Sequence, residues 1–568
     1  MPKTCSLQNN LLTTTMCGIW AIFGSEGDIA FQCNCVHKIT HRGPDAFRIE
    51  NINHFPNSCL AFHRLAIVDD LCGMQPMRTF QHPYVYLIYN GEIYNFKELE
   101  KEFGIKQDTA CDGEIIIHLY AKYGIEFAAK HLDGVFFFCL MDTANRKVYL
   151  GRDTFGVRPG FRITTEDGFL AVCSEAKGLV GLSYNNSQAC DTSKVEHFPP
   201  GHVETYSLDK EGRAALTECS RFHKIAEQPA YPTFPVTIGK DVKQNIREFL
   251  TMAVRKRLMA DRRIGCLLSG GLDSSLVTAL VVKLAKELGM DYKIQTFSIG
   301  MEGSTDLQAA KKVADFLGTE HHELVFTPEQ GIEALENVIY HLESYDITTV
   351  RASVGMYLIS QYIKEKTDAT VILSGEGSDE VAQGYIYFHK APSVEEASEE
   401  SRRLCNDLYM YDVLRADRTT SAWGLELRVP FLDHRFSHYY MSLPDDDKRP
   451  KHGIEKHLLR SAFSGEGLLP DEILWRPKEA FSDGVSSVTK SWYEVLQNHI
   501  DVQINDDELE DSAKTFTHNT PQSKEALYYR RIFEKFYPGL GKWIPYFWMP
   551  RWSQTLDPSA RTLKHYKQ

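Results

Sequence analysis

Apolar residues follow two different rhythms along this chain. Up to about residue 205 they form short runs broken by turn residues, at 18–23, 59–68, 85–89, 135–141, 147–150 and 169–173. Runs of that length predict strands. One stretch among them, 113–122, has helical spacing, with Ile115, Ile116, Leu119 and Tyr120 on one face. The first half therefore reads as a strand-rich α/β domain. Beyond residue 240 the rhythm alternates: strand 264–268, a glycine turn, helix 274–288, strand 293–299, helix 307–317, helix 353–366, strand 370–373. Such alternation predicts a parallel sheet with ligands outside the carboxyl ends of its strands. Helical patterns dominate from about residue 400.

The segment 226–236 carries three prolines, Pro229, Pro232 and Pro235, and reads as linker. These shifts divide the chain into an extension (1–16), a first domain (17–205), a linker (206–240) and a second domain (241–568). A length of 568 residues supports two or more cores. The longest apolar runs, such as 135–140, are strand-sized, so no membrane span is expected. A net charge of −13 argues against a nucleic-acid partner. Thirteen cysteines without a Cys-x-x-Cys pair, in a large chain with no secretory signal, read as reduced thiols of a cytoplasmic protein. A homo-oligomer is left open.

Candidate chemistry begins at Cys17, directly before the first strand. A lone cysteine in apolar surroundings is usually a core residue. Here it is followed in order by His41-Arg42-Gly43-Pro44-Asp45, Arg64-Leu65-Ala66-Ile67-Val68-Asp69, Asn90-Gly91-Glu92-Ile93-Tyr94-Asn95 and Cys111-Asp112-Gly113-Glu114. This ordered set resembles the class II glutamine amidotransferases, whose N-terminal cysteine releases ammonia from glutamine. The resemblance implies an αββα N-terminal-nucleophile sandwich and assigns Cys17 as nucleophile. It assigns the Asn90 side chain and the Gly91 amide as oxyanion donors, and Arg64 through Val68, Asn90, Gly91, Glu92 and Asp112 as the glutamine pocket. Arg64 suits the substrate carboxylate and Asp112 its ammonium; a structural ion pair is the alternative for each. A cysteine at a chain start can use its own α-amine as base, because that amine titrates near neutrality. Residues Met1–Thr15 are polar, with Lys3 as their one charge, and carry neither signal-peptide nor transit-peptide features. The extension through Met16 is therefore expected to be absent from the mature chain, by initiation at Met16 with its removal or by cleavage.

In the second domain a strand runs into Ser269-Gly270-Gly271-Leu272-Asp273-Ser274-Ser275 and then a helix. No lysine follows a glycine here, so this is not a Walker-type loop. The run resembles the pyrophosphate loop of the ATP pyrophosphatase group, which cleaves ATP between its α and β phosphates. Amides at a helix N-terminus form an anion nest, and Asp273 in such a nest reads as a Mg²⁺ ligand. A second cluster, Ser374-Gly375-Glu376-Gly377-Ser378-Asp379-Glu380, follows another strand; alone it could be a solvated acidic loop.

Together with Tyr411–Arg415, Arg428–Asp433 and Trp475-Arg476-Pro477-Lys478-Glu479-Ala480-Phe481-Ser482-Asp483, these motifs are similar to the asparagine synthetase family, animal type, from Met16 onward. That resemblance implies three small-molecule substrates: glutamine, aspartate and ATP with Mg²⁺. Glutamine yields ammonia, aspartate's β-carboxylate is adenylated, and ammonia displaces AMP. Leu267, Ser269, Gly270, Gly271, Asp273, Ser274, Ser275, Ile299, Ser374 and Gly375 are the implied ATP site. Glu376 and Lys478 are the implied catalytic residues, and Asp273 and Asp379 the metal ligands. Arg415 reads equally as a phosphate ligand or as an ion pair with Asp412. Two positions depart from the family pattern: Gly160, where leucine is usual, and the loose continuation Val381-Ala382-Gln383-Gly384-Tyr385. A cyclase using the same ATP loop, or an inactive scaffold, are the rival readings; an intact Cys17 and the C-terminal matches disfavour the first, and an intact Cys17, Arg64, Asp273, Glu376 and Lys478 the second.

Overall fold

The protein is seen in a computed structural model that describes residues 17–25, 29–67, 73–184, 188–231, 241–478, 484–486, 491–553 and 557–558. The extension, Val68 and the 479–483 part of the Lys478 motif lie outside the described residues.

Eleven strands of the first unit form two antiparallel sheets. They are β1 (Gly18–Phe23), β2 (Ala46–Asn51), β3 (Cys59–Arg64), β4 (Val85–Ile93), β5 (Gly134–Asp142), β6 (Lys147–Arg152), β7 (Phe161–Thr164), β8 (Leu170–Cys173), β9 (Glu196–His197), β10 (His202–Leu208) and β11 (Ala214–Arg221). One sheet has the order β9-β7-β8-β1-β3-β2 and the other β11-β10-β6-β5-β4. Their central strands read as unbroken apolar runs because both faces are covered. In β1, Ile19, Ala21 and Phe23 pack between the sheets against Phe137, Cys139 and Met141 of β5. Trp20 and Ile22 point the other way, onto Val36 and Ile39 at helix α1 (Ile29–His37). In β5, Phe136, Phe138 and Leu140 turn outward onto Ile115, Ile116 and Leu119 of helix α2 (Glu114–Tyr123). Period-two alternation through two sheets with a helix on each outer face gives the expected αββα sandwich.

The second unit holds a five-stranded, all-parallel sheet: β12 (Arg263–Leu267), β13 (Gln295–Gly300), β14 (Glu320–Val325), β15 (Ala369–Leu373) and β16 (Glu426–Arg428), in the order β14-β13-β12-β15-β16. Four helices matter for the site: α3 (Leu272–Glu287), α4 (Thr305–Leu317), α5 (Ile347–Lys366) and α6 (Asp412–Ser421). Val371 and Leu373 face the core shared with α3, while Ile372 faces the one shared with α5, so both faces of this sheet are also buried.

Three expectations shift. The run expected as a strand over 59–68 leaves the sheet after Arg64, because Leu65 turns to the Cys17 thiol. Helix α5 starts at Ile347 rather than 353; Asp346 caps it by accepting the Thr349 amide at 2.9 Å, overriding the β-branched Ile-Thr-Thr-Val start. Strands β10 and β11 form a hairpin on the sheet edge, so strand structure fills 206–208 and 214–221 of the expected linker; 232–240 lie outside the described residues.

The departure at Gly160 has a packing cause. A Cβ built there would stand 2.6 Å from the Phe137 ring, so that ring fills the volume where a leucine would sit. We expect Gly160→Leu to cost about 1–3 kcal/mol by overpacking. Combining it with Phe137→Leu should recover part of that loss, measured by chemical denaturation; additive losses would refute the shared volume.

Candidate functional site

Cys17 ends the approach to β1, and its side chain faces backbone. Its Sγ accepts the Leu65 amide at 3.3 Å and points its proton toward Leu65 O at 3.5 Å. The Cys17 carbonyl is held by Arg42 Nε at 3.2 Å. Burial pushes the thiol up to about 12, with Glu92 and Glu426 adding to the rise, while the Leu65 amide and Arg64 work against it. At neutral pH this thiol is protonated, and both of its bonded partners are peptide groups rather than a base.

The predicted pocket residues gather around it. Arg64 and Glu92 both act on the thiol electrostatically, and Asp112 acts on Glu92. Asn90 is buried, and its Nδ2 has no partner among the described residues. An orphaned amide donor in the interior is costly unless a ligand completes it, which suits an oxyanion donor. Gly91 follows it in β4. Asp112 accepts the Tyr89 hydroxyl at 2.8 Å and the Ile93 amide at 2.6 Å, yet burial still raises its carboxyl to about 6. Burial, and then the facing Glu426, raise Glu92 well above the usual carboxylate range. Ala66 and Ile67 are clamped from two sides: Asp45 accepts the Ala66 amide at 3.1 Å, while Arg262 Nε and the Asp261 amide reach Ala66 O and Ile67 O, both at 2.9 Å.

The second constellation sits at the carboxyl ends of β12, β13 and β15, as the parallel sheet requires. Its cavity is lined by Leu267, Ser269, Gly271, Asp273 and Ser274 from the first loop, and by Ser374, Gly375, Glu376 and Asp379 from the second, with Ile299 and Lys478. Gly270 and Ser275 are not on its surface. Gly270 adopts φ +72° and presses its Cα against Ala309–Ala310, while Ser275 is fully buried. The loop is stapled internally, with Ser269 and Ser274 hydroxyls 3.0 Å apart and Gly271 N donating to Ser269 Oγ at 3.3 Å. The two loops meet at Gly375: a Cβ there would come within 2.8 Å of Asp273 Cβ and of the Ser274 amide.

Charges in this cavity are paired. Asp273 takes Ser378 Oγ at 2.7 Å and Lys456 Nζ at 2.6 Å; Asp379 takes Lys456 at 2.7 Å and Lys478 at 2.6 Å. Despite burial, the two lysines hold Asp379 well below the usual carboxylate range. Arg415 bridges Glu376 at 2.8 Å and Asp412 at 2.9 Å, so it joins the two acids whose roles the sequence left separate. Lys456 was not among the residues singled out from sequence; it belongs to no motif there. Tyr385 was noted only as part of a loose motif, yet its hydroxyl lies between Glu380, at 2.6 Å, and Asp412, at 2.8 Å.

Asp273 and Asp379 converge on one cation, the Lys456 ammonium, and carry the hard oxygens that suit Mg²⁺. Among the described residues no group of three or more His, Cys, Asp or Glu is arranged to hold a metal. Two carboxylates are enough for Mg²⁺ only when phosphate oxygens and water complete its octahedron.

Comparison with known proteins matches two family models along the chain. A model of a glutamine amidotransferase domain matches residues 16–211, and the asparagine synthase model matches 245–403 and 392–560. The chain is 60% identical over 560 residues to asparagine synthetase (glutamine-hydrolyzing) of Gallus gallus, covering 97% of this chain and 99% of that one. It is 59% identical to the Bos taurus protein and 58% identical to the Homo sapiens protein of the same name, each over 559 residues, again covering 97% of this chain and 99% of theirs. With an amidotransferase-type sandwich in front and a parallel α/β unit behind, the chain belongs to the glutamine-hydrolysing asparagine synthetase family.

Proposed function

We propose that the chain makes asparagine, glutamate, AMP and pyrophosphate from aspartate, glutamine and ATP, in the cytosol. The observation that carries this reading is continuity between two chemically different sites. One hydrophobic cluster contains Leu65, which bonds the Cys17 thiol, and Met356, which lines the second cavity. Ammonia is a nucleophile only while unprotonated, and an apolar interior keeps it so. Product analysis with the three substrates tests the reading; absence of asparagine would refute it.

At the first site Cys17 attacks the glutamine amide. Asn90 Nδ2 and the Gly91 amide stabilise the oxyanion, a contribution of about 3–4 kcal/mol in comparable sites. Arg64 pairs with the substrate carboxylate, and Asp112 with Glu92 takes its ammonium. The thiol proton needs a base, and while Met16 is attached the nitrogen of Cys17 is an amide. The proposal therefore requires a free Cys17 amine in the working enzyme. At the second site the Ser269–Ser275 loop holds the nucleotide phosphates, with Leu267, Ile299, Ser374 and Gly375 against adenosine. Lys478 and Lys456 exchange Asp379 and Asp273 for phosphate oxygens, freeing those carboxylates as the Mg²⁺ ligands. Bound Mg²⁺ supplies charge neutralisation at the phosphates. Glu376, set by Arg415, faces the adenylated carboxylate as ammonia arrives.

Three outcomes follow from these assignments. Cys17→Ala should abolish glutamine-dependent synthesis yet keep synthesis from added ammonium salts; equal loss of both would overturn the division of labour. Intact-mass analysis of active protein should show a chain beginning at Cys17, and full glutaminase activity from a homogeneous chain beginning at Met1 would contradict the free-amine base. The Asp112 carboxylate must be charged to hold an ammonium, and its raised value of about 6 puts its protonation within reach of mild acid. Glutamine KM should therefore rise as pH falls through about 6. In Asp112→Asn it should be high throughout, without that inflection; an unchanged inflection there would assign it to another group.

A further inference from the structure

The far wall of the synthetase cavity is made by residues that no motif contains. Thr348, Ala352, Met356 and Ile359 of α5 all line it. Their spacing of four, four and three residues puts them on one helix face, a stripe about 16 Å long. At the Ile359 end this stripe shares a core with Phe297 and Ile299, beside the proposed adenosine position. At the Thr348 end stands Trp548, supplied by the C-terminal segment.

That segment is tied down as a strap. Tyr345 Oη donates to Gly541 O at 2.6 Å, Asn519 Nδ2 to Ile544 O at 2.7 Å and Tyr411 Oη to Tyr546 O at 2.7 Å. Trp543 Nε1 even reaches Val195 O of the first unit, at 3.0 Å. Trp548 itself donates its amide to Asp346 Oδ1 at 2.7 Å, the same carboxylate that caps α5, and its carbonyl accepts Thr348 Oγ1 at 3.5 Å. Its ring lies 5.4 Å from that of Tyr385 and 6.2 Å from that of Tyr387. The Tyr385 hydroxyl in turn lies within hydrogen-bond distance of Glu380 and Asp412, and Asp412 shares Arg415 with Glu376.

We infer that Trp548 is a specificity-determining residue: with Tyr385 it forms the rigid end wall that sets the length of acid the synthetase cavity accepts. The inference rests on the reaction proposed above. An amino acid activated through its side-chain carboxylate must place that carboxylate at the α-phosphate, beside the Ser269–Ser275 loop. Its α-carbon, ammonium and α-carboxylate then extend away from the loop. The Trp548–Tyr385 wall limits that extension, and glutamate is one methylene, roughly 1.5 Å of bond, longer than aspartate. A fixed wall rejecting one methylene gives about 10–200-fold discrimination. The backbone of Trp548 is anchored to the cap of α5, and its buried ring is packed against those of Tyr385 and Tyr387, which together hold the wall in place.

The test uses the full chain with ammonium salt, Mg-ATP and either aspartate or glutamate, scored by pyrophosphate release. In Trp548→Ala the aspartate KM should rise about tenfold and the aspartate-over-glutamate ratio of kcat/KM should fall at least tenfold. Glutaminase turnover and ATP KM should not move. Trp548→Phe, which keeps an aromatic wall, should retain most of the discrimination, and Trp548→Leu should fall between the two and serves if the alanine variant does not fold. Unchanged aspartate KM and discrimination in the alanine or leucine variant would overturn the inference. So would equal losses in the phenylalanine and alanine variants, since a purely structural anchor would behave that way. Failure of the wild-type chain to release pyrophosphate with aspartate would instead defeat the proposed reaction itself.

Discussion

Both sites depend on one buried guanidinium. Arg42 is fully buried, with Glu175 of its own unit at 2.6 Å and Asp417 of the second unit at 2.9 Å, and its Nε holds the Cys17 carbonyl. Arg418 joins the same seam, bonding Glu175 at 2.9 Å and Glu343 at 2.7 Å, and Glu343 returns to the first unit by accepting the Ala176 and Lys177 amides. Burial opposes the charge on Glu175, yet Lys177, Arg418, His41 and Arg42 hold it well below the usual carboxylate range. Such a network adds little net stability over apolar packing. Breaking it by removing one partner, however, strands a buried charge at a cost of about 3–5 kcal/mol. The seam therefore dictates how the two units meet rather than how strongly each folds.

Helix α6 converts that seam into a link between the two chemistries. Arg415 and Asp417 are two residues apart, which on a helix places them on nearly opposite faces. Arg415 faces the synthetase cavity and holds Glu376, while Asp417 faces the first unit and holds Arg42. One helix thus fixes Glu376 relative to the backbone of Cys17. Met356, on the neighbouring helix, touches the Arg415 guanidinium through its sulfur at 3.4 Å and belongs to the cluster that reaches Leu65. The apolar cluster and the ionic seam run side by side, which on the proposed reading suits ammonia crossing without meeting water.

Much of this was legible in the sequence, and the parts that were not share physical causes. Central strands such as β1, β5 and β15 were clear because burial on both faces leaves only apolar residues. Strands β2, β14 and β16 lie at sheet edges, where Arg48, Glu50, His321 and Glu426 break the apolar signal. Candidate site residues carried by contiguous loops, such as Ser269–Ser275, could be read because local backbone geometry demands glycine and serine together. Lys456 and Trp548 could not. Each reaches its cavity from a segment remote in sequence, and a single lysine or tryptophan has no local pattern to betray it. The same reasoning explains Gly160, which looked like a departure until Phe137 was seen filling its space.

The paired charges of the synthetase cavity have a last consequence for how it is held ready. Asp273, Lys456, Asp379 and Lys478 form, in that order, a linear chain of ion pairs in which each carboxylate already has a cation and each lysine an anion. Assembling those charges costs desolvation energy during folding, when the rest of the core can offset it. On the proposed reading, ATP phosphates arriving with Mg²⁺ exchange partners with groups already in place. Lys456 and Lys478 would turn from carboxylate to phosphate, leaving Asp273 and Asp379 as the residues that would hold the metal. The cations that would meet the phosphates are already fixed in the site, which is the condition under which electrostatic preorganisation is most effective. Gly375 keeps the exchange local, because the contact between the two loops leaves no room for a side chain that would push Asp273 away from Asp379.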